Sequence, residues 1–230
     1  MSNKNKIEIE EQNFSLSISD LMSAMLFIFI LLLSGTMLQL KEKEQKLAQV
    51  SESYEDVKQN IVIGLKSEFG SDFEKWGVEI VDSTLCVRFQ KESTHFAWNS
   101  DELKDEFKDI LKDFFLRYIG LVYDDKDIRK HIKEIRIEGH TSSEGEYFSN
   151  MDLSQRRARE VLEYCYDLIK DEGKLDWIEK KFTANGMSSS HPILNGDGEE
   201  YLKKSRRVEF VIVTDAEVQM ESIKEQLLEN

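Results

Sequence analysis

The sequence predicts an α/β domain of β-α-β-α-β-β order, an α+β sandwich, preceded by a single transmembrane helix and a short coiled-coil linker. Three observations predict it. One uncharged apolar block stands near the start of the chain, a charged segment with a seven-residue apolar repeat follows, and alternating strand and helix signals fill the rest. At 230 residues there is room for one domain of ordinary size plus such extra segments. The formal net charge of −14, from 31 Lys+Arg against 45 Asp+Glu, argues against nucleic acid as a partner. Such a partner needs a basic surface that displaces counterions from phosphates.

Residues 1–15 are polar and short, and read as a cytoplasmic tail. The transmembrane helix is expected at 16–40. From Leu21 to Leu33 there is no charge and only Ser23 interrupts the apolar run; Ser34-Gly35-Thr36 and Met37-Leu38 extend it. As a helix the extended run spans roughly 27 Å, close to the ~30 Å hydrocarbon core of a bilayer. A cleaved signal would show a basic start and a small-residue cleavage site. Here Glu8, Glu10 and Glu11 precede the run and no Ala-x-Ala-like triplet follows it, so an uncleaved span is expected. Lys4 and Lys6 on one side and Lys41, Lys43 and Lys46 on the other leave the positive-inside rule undecided. Orientation therefore rests on the nature of the C-terminal domain.

Residues 41–77 read as a helical linker. Leu40, Leu47, Tyr54 and Ile61 fall seven apart, with Val50 and Val57 in the second seam position, although Lys43 and Gly64 break that second seam. The repeat predicts a parallel helix pair and hence a homodimer. Leu26, Leu33 and Phe29 carry the same register back into the span.

The domain is expected at 78–213. A strand is predicted at Val78–Gln90, and a helix from Asp101 to about Tyr118, capped by Asn99 or Ser100 with Glu102 as capping-box partner. Ile135–Glu138 reads as a second strand, and Ser154 or Asp152 as the cap of a helix reaching about Lys170. Strands near Lys181–Ala184 and at Arg206–Val213 follow, then an acidic tail, 214–230. Cys86 and Cys165, the only cysteines, are too few for a metal site, and form one disulfide only if they meet in an oxidising compartment. His95, His131, His140 and His191 show no ligand spacing and no pairing with acids. No metal centre, cofactor or catalytic constellation is expected, and the chain does not read as an enzyme.

Asp20 is the residue of greatest chemical interest. A carboxylate within a span costs on the order of 2.5–3.5 kcal/mol at the helix centre, and desolvation raises its pKa towards the range where it can load and release an ion. The plainer alternative is a headgroup-level cap at the helix start. At about 100° per residue Asp20 projects ~120° from Leu26 and ~180° from Phe29. If Leu26, Phe29 and Leu33 form the seam, Asp20 points away from its twin, towards a second membrane subunit.

Asp20-Leu21-Met22-Ser23-Ala24-Met25 resembles the start of the span in MotB-type stator subunits. The resemblance implies an ion-translocating role for Asp20, with H⁺ or Na⁺ as the transported ion, and a MotA-like ring of ZorA type as partner. Residues from about Val78 to Val213 resemble the OmpA C-terminal-type peptidoglycan-binding domain. The match rests on Phe96 and Trp98, Ile137-Glu138-Gly139-His140-Thr141 with Gly145, Asn150-x-x-Leu153-Ser154-x-x-Arg157-Ala158, Gly186-Met187 with Pro192 and Asn195, and Arg206-Arg207-Val208-Glu209-Phe210. It implies peptidoglycan contacts from Thr141, Ser142, Asn150, Leu153, Arg157 and Arg207, with Arg157 on a ligand carboxylate.

The family usually has aspartate where this chain has Ser142, and Asn or Asp where it has Ser205. A serine hydroxyl still accepts a hydrogen bond, though without charge assistance. The acidic N-terminus, the proline-free segment after the span and the Phe27–Leu33 run look more like the ZorB-type subunits of Zorya anti-phage defence systems than like flagellar MotB. The implied protein is a single-pass inner-membrane subunit with a periplasmic C-terminal domain, coupling ion flow to rotation and effector signalling. Alternatives are a flagellar MotB-type stator, a plain OmpA-like wall tether without ion conduction and, less fittingly, a TolR/ExbD-type energiser.

Overall fold

The apolar run does form a helix. The computed structural model describes residues 2–90, 96 and 100–218, which divide into two units, residues 1–49 and 50–230. The expectations placed on His95, Trp98, Asn99 and the end of the acidic tail lie outside the described residues. Helix α1 runs from Ser2 to Phe69 and takes in the polar tail, the apolar block and most of the linker. Among the described residues it is the one helix long and apolar enough to cross a membrane, with a window of mean hydropathy 2.3, none of it buried. Leu21, Met22, Leu26, Phe27, Phe29 and Leu33 all present their side chains outward. A helix apolar all round and uncovered by protein needs a lipid surround, unlike the core helix of a soluble fold.

In the second unit the end of α1 belongs to the domain core. Val57, Ile61, Val62, Leu65 and Phe69 are buried there. This corrects the predicted seam: Val57 and Ile61 pack on the domain and do not face a twin helix. The seven-residue spacing is equally what one helix presents when one stripe lies on a core.

The domain then runs α2 (Phe73–Trp76), β1 (Val78–Val81), β2 (Cys86–Phe89), α3 (Asp105–Ile119), α4 (Lys126–Arg129), β3 (Ile132–His140), α5 (Tyr147–Asp167), α6 (Glu172–Lys181), β4 (Phe182–Gly186), α7 (Leu202–Ser205) and β5 (Arg207–Thr214). The sheet order is β1-β2-β5-β3-β4, with β3 and β4 parallel and every other pair antiparallel, so the sheet is mixed as expected. Val87, Phe89, Ile135, Ile137, Phe210 and Ile212 turn to one face and meet Phe107, Phe114, Phe115 and Tyr118 of α3 and Ala158 and Val161 of α5. The rings of Phe89, Phe114 and Phe210 lie 5.1–5.8 Å apart in edge-on contacts, the arrangement that aromatic quadrupoles favour.

Several boundaries differ from expectation, each for a local reason. Val78–Gln90 is not one strand but a hairpin, turned by a 3₁₀ segment at Asp82–Thr84 and by Leu85 at φ +48°. The helix predicted from Asp101 begins at Asp105. Ser100 does receive the Glu102 amide on its Oγ, but Leu103 is drawn into a buried bridge with Phe96 and holds the chain extended until Lys104. Helix α5 starts at Tyr147, so neither Asp152 nor Ser154 caps it; Ser154 is buried mid-helix and donates to the Met151 carbonyl. Helix α6 has no counterpart in the sequence reading, whereas β4 lies within two residues of the strand expected near Lys181–Ala184. Asp171 caps α6 by accepting the Lys174 amide.

Two glycines set the distance between helix and sheet. A Cβ at Gly139 would stand 2.2 Å from the Ser154 carbonyl oxygen, and one at Gly186 would stand 2.6 Å from the Gln155 nitrogen. Only hydrogen fits in either place, so α5 lies directly on the ends of β3 and β4. That is a physical reason for glycine within Glu138-Gly139-His140 and before Met187.

Candidate functional site

The loops that leave β3 and β4 run side by side above the start of α5. The Met187 amide donates to the Gly139 carbonyl at 2.9 Å, and the Thr141 amide to the Ser188 carbonyl at 2.8 Å. Ser188 ties three elements together. Its amide donates to Ser154 Oγ at 3.0 Å and its hydroxyl to the Tyr147 carbonyl at 3.1 Å. It is fully buried at φ +51°, a conformation held because every polar group it carries is matched. Asn150 clamps the other side of the loop, with Nδ2 donating to the carbonyls of Ser142 at 3.2 Å and Glu144 at 2.9 Å. Glu200 closes it from the far loop, its carboxylate accepting the Ser143 amide at 3.2 Å on each oxygen. Partial burial pushes the Glu200 carboxyl up, but the hydrogen bonds from Ser143 and Ser205 and the charge of Arg206 hold it below the usual range.

Of the residues the sequence singles out, Thr141, Ser142 and Asn150 therefore converge on one loop. Thr141 and Ser142 are buried, and the Thr141 hydroxyl has no hydrogen-bond partner. Leu153 is half-buried one turn along α5. Arg157, two turns from Asn150 and so on the same helix face, is only 3% exposed. Its Nε donates to the Ser100 carbonyl at 3.0 Å and its guanidinium stacks over Phe96 at 4.6 Å.

Arg207 does not join this group. It pairs in register with His140 and turns to the sheet face opposite α3 and α5, where it donates to Glu209 and to the carbonyls of His191 and Ser205. The reason is the period of two along β5: Arg207 and Glu209 share one face, Val208 and Phe210 the other. Arg206 reaches the site loop instead, bonding Glu144 at 3.1 Å.

That opposite face carries a second cluster. Arg88 holds Glu209 at 2.6 Å and lies 3.7 Å from Glu79. His140 Nε2 lies 3.5 Å from Glu138 and 3.7 Å from Glu209. Burial alone would raise the Glu209 carboxyl; Arg207, His140 and Arg88 outweigh it and bring it down to about 2. Burial pulls His140 below the usual imidazole value, with the glutamates only partly countering. The absence of histidine–acid pairing expected from sequence is corrected here. Glu138-x-His140 is a same-face pair because the two stand two apart on a strand. Glu200 and Ser188 carried no comparable signal, since both act from loops whose path only the folded sheet defines. Cys86 and Cys165 are both buried and unpaired.

The OmpA family model matches residues 88–207. Zorya protein ZorB of Escherichia coli strain Crooks is 40% identical over 215 residues, covering 90% of this chain and 90% of that protein. The chain belongs to the ZorB family. Among solved structures, a MotB-like protein from Desulfovibrio vulgaris aligns with a TM-score of 0.48 at 19% identity, over 72% of this chain and 94% of that one. The periplasmic domain of Helicobacter pylori MotB aligns with a TM-score of 0.44 at 18% identity, over 65% and 89%. Membership of the ZorB family, an OmpA-family domain and one membrane-length apolar helix together support a stator-like anchor.

Proposed function

We propose that this chain is the ion-conducting, wall-anchored subunit of an anti-phage defence membrane complex. Two copies stand within a MotA-like ring, with the N-terminus cytoplasmic and the C-terminal domain in the periplasm. Residues 1–15 form the tail and 16–40 the span; of the stretch expected as linker, 41–77, the part from Val57 onward joins the core of the wall-binding domain, which continues through β5 to Thr214. Asp20 takes up and releases H⁺ or Na⁺, and the flow is coupled to rotation and to effector signalling. The observation that carries this reading is the relatedness to ZorB over 90% of both chains, which extends beyond the OmpA-family match and so includes more than the wall domain.

Chemistry at the two sites supports the same reading. Asp20 lies well inside α1 and so is not a cap at its start; a carboxylate in an apolar helix needs protein, water or a proton to satisfy it. The Thr141 hydroxyl is a buried group without a partner beside the clamped loop, and such groups call for a ligand or water. Arg157 supplies a guanidinium suited to a stem-peptide carboxylate.

Protection against phage separates the readings. Asp20→Asn, with complex assembly checked by co-purification, is expected to abolish protection while assembly persists. Full protection from that variant would leave only a wall tether. For the domain, Arg157→Lys is expected to weaken co-sedimentation with purified peptidoglycan by roughly tenfold, because an ammonium cannot reproduce bidentate contact. Wild-type chain that stays in the supernatant would remove wall binding altogether.

A further inference from the structure

We propose that Glu138, His140 and Glu209 form a binding site for one divalent transition-metal ion, with zinc the best match to this donor set, on the sheet face opposite α3 and α5. The fold brings the three together by strand geometry alone. Glu138 and His140 share a face of β3, and Glu209 is the direct cross-strand partner of Glu138 on β5. Their nearest ligand atoms all lie within 4.8 Å of one another. From His140 Nε2 the two carboxylate oxygens are 3.5 and 3.7 Å away. Around a tetrahedral zinc with bonds of ~2.0–2.1 Å, neighbouring donors stand about 3.4 Å apart. Two of the three edges are therefore already near ligand spacing. The third closes by rotation of Glu138, which makes no ion pair with a lysine or arginine among the described residues.

A separate observation points to something missing from this gap. His140 is 2% exposed, and neither of its ring nitrogens has a hydrogen-bond partner. Leaving buried polar groups unmatched is costly, and buried side-chain polar atoms are seldom left so. A proton shared with the glutamates is the simplest candidate, but a charge-assisted bond closes to about 2.7–2.9 Å, shorter than either distance here. The neutral imidazole is the form that binds metals.

The arginines act in both directions. Arg88 and Arg207 grip Glu209 by Oε1 and leave Oε2 facing His140, as outer-shell partners orient a ligating carboxylate. Their charge also opposes the ion. Glu79, Glu138 and Glu209 against Arg88 and Arg207 leave this face at one negative charge with His140 neutral, so binding is expected to be moderate in strength. Three protein donors leave the fourth position for water. The ion would tie β3 to β5 next to the loop that starts at Thr141, whether or not that loop binds the wall.

The test uses full-length protein in detergent, stripped with a chelator and titrated with zinc alone. Bound zinc after desalting and the thermal midpoint are the readouts. One zinc per chain and a midpoint that rises with zinc are expected, since a ligand of the folded state stabilises it. Glu138→Gln is expected to bind zinc at least about tenfold more weakly and to lose the zinc-dependent rise. Wild-type chain that retains no zinc and shows no shift overturns the proposal without reference to any variant. Equal zinc content and an equal shift in Glu138→Gln and His140→Gln overturn it as well, because the ion would then sit elsewhere.

Discussion

The two faces of the sheet are made by the same strands, yet they are held by different forces. On one, Phe210 is fully buried among Phe89, Phe114 and Tyr118. On the other, one residue back along β5, Glu209 is 6% exposed and sits between Arg88 and Arg207. Both side chains are interior. The apolar face gains from removal of surface from water and is indifferent to protonation. The polar face tolerates burial only while each charge keeps its partner. Depth of burial therefore says little about what a position contributes until its partners are known.

The contrast is broken most severely from the apolar side. Phe210→Ala is expected to cost about 3–5 kcal/mol in urea unfolding of the domain, with a slope unchanged from wild type. Glu209→Ala should come next, at about 3 kcal/mol, because the buried Arg207 and the half-buried Arg88 lose their shared carboxylate; Glu209→Gln, which keeps the acceptor oxygen, should lose less. A pH series sharpens the distinction further. With its folded pKa near 2 against the usual 4.5, Glu209 contributes stability that is present above the unfolded value and lost as pH falls towards 2. His140, lowered in the fold, acts in the same direction: below about 6.5 the unfolded ring binds a proton that the folded ring resists. Stability should thus fall on acidification in wild type, and fall less steeply in Glu209→Gln. Smallest of all, Lys180→Ala removes an exposed i,i+4 pair with Asp176 and should leave the urea midpoint where it was.

What could be read from the chain beforehand follows the range of the forces involved. The long apolar helix was legible because an uncharged apolar run needs only its own composition to declare itself. The domain's alternation of strand and helix was legible from period and turn chemistry. The start of α3 was not, because the Phe96–Leu103 bridge overrides a capping signal that is itself real. The linker's heptads described a true stripe, but periodicity does not say what covers it, and Val57 and Ile61 meet the domain. At the loop that leaves β3, Thr141, Ser142 and Asn150 were anticipated together, while Ser188 and Glu200 reach the loop from segments dozens of residues away. Arg207 was misplaced because a motif spells residues in order, whereas a strand sends neighbours to opposite sides.

The state of the two cysteines has a practical consequence for probing the apolar helix α1. Burial drives the thiols of Cys86 and Cys165 well above the usual range, so neither forms thiolate at neutral pH. Alkylating and crosslinking reagents act on thiolate, and both sulfurs are shielded from them while the domain stays folded. Reporter cysteines introduced at positions 20 and 29 can therefore be read in the native background, with any signal assigned to the helix and not to the domain.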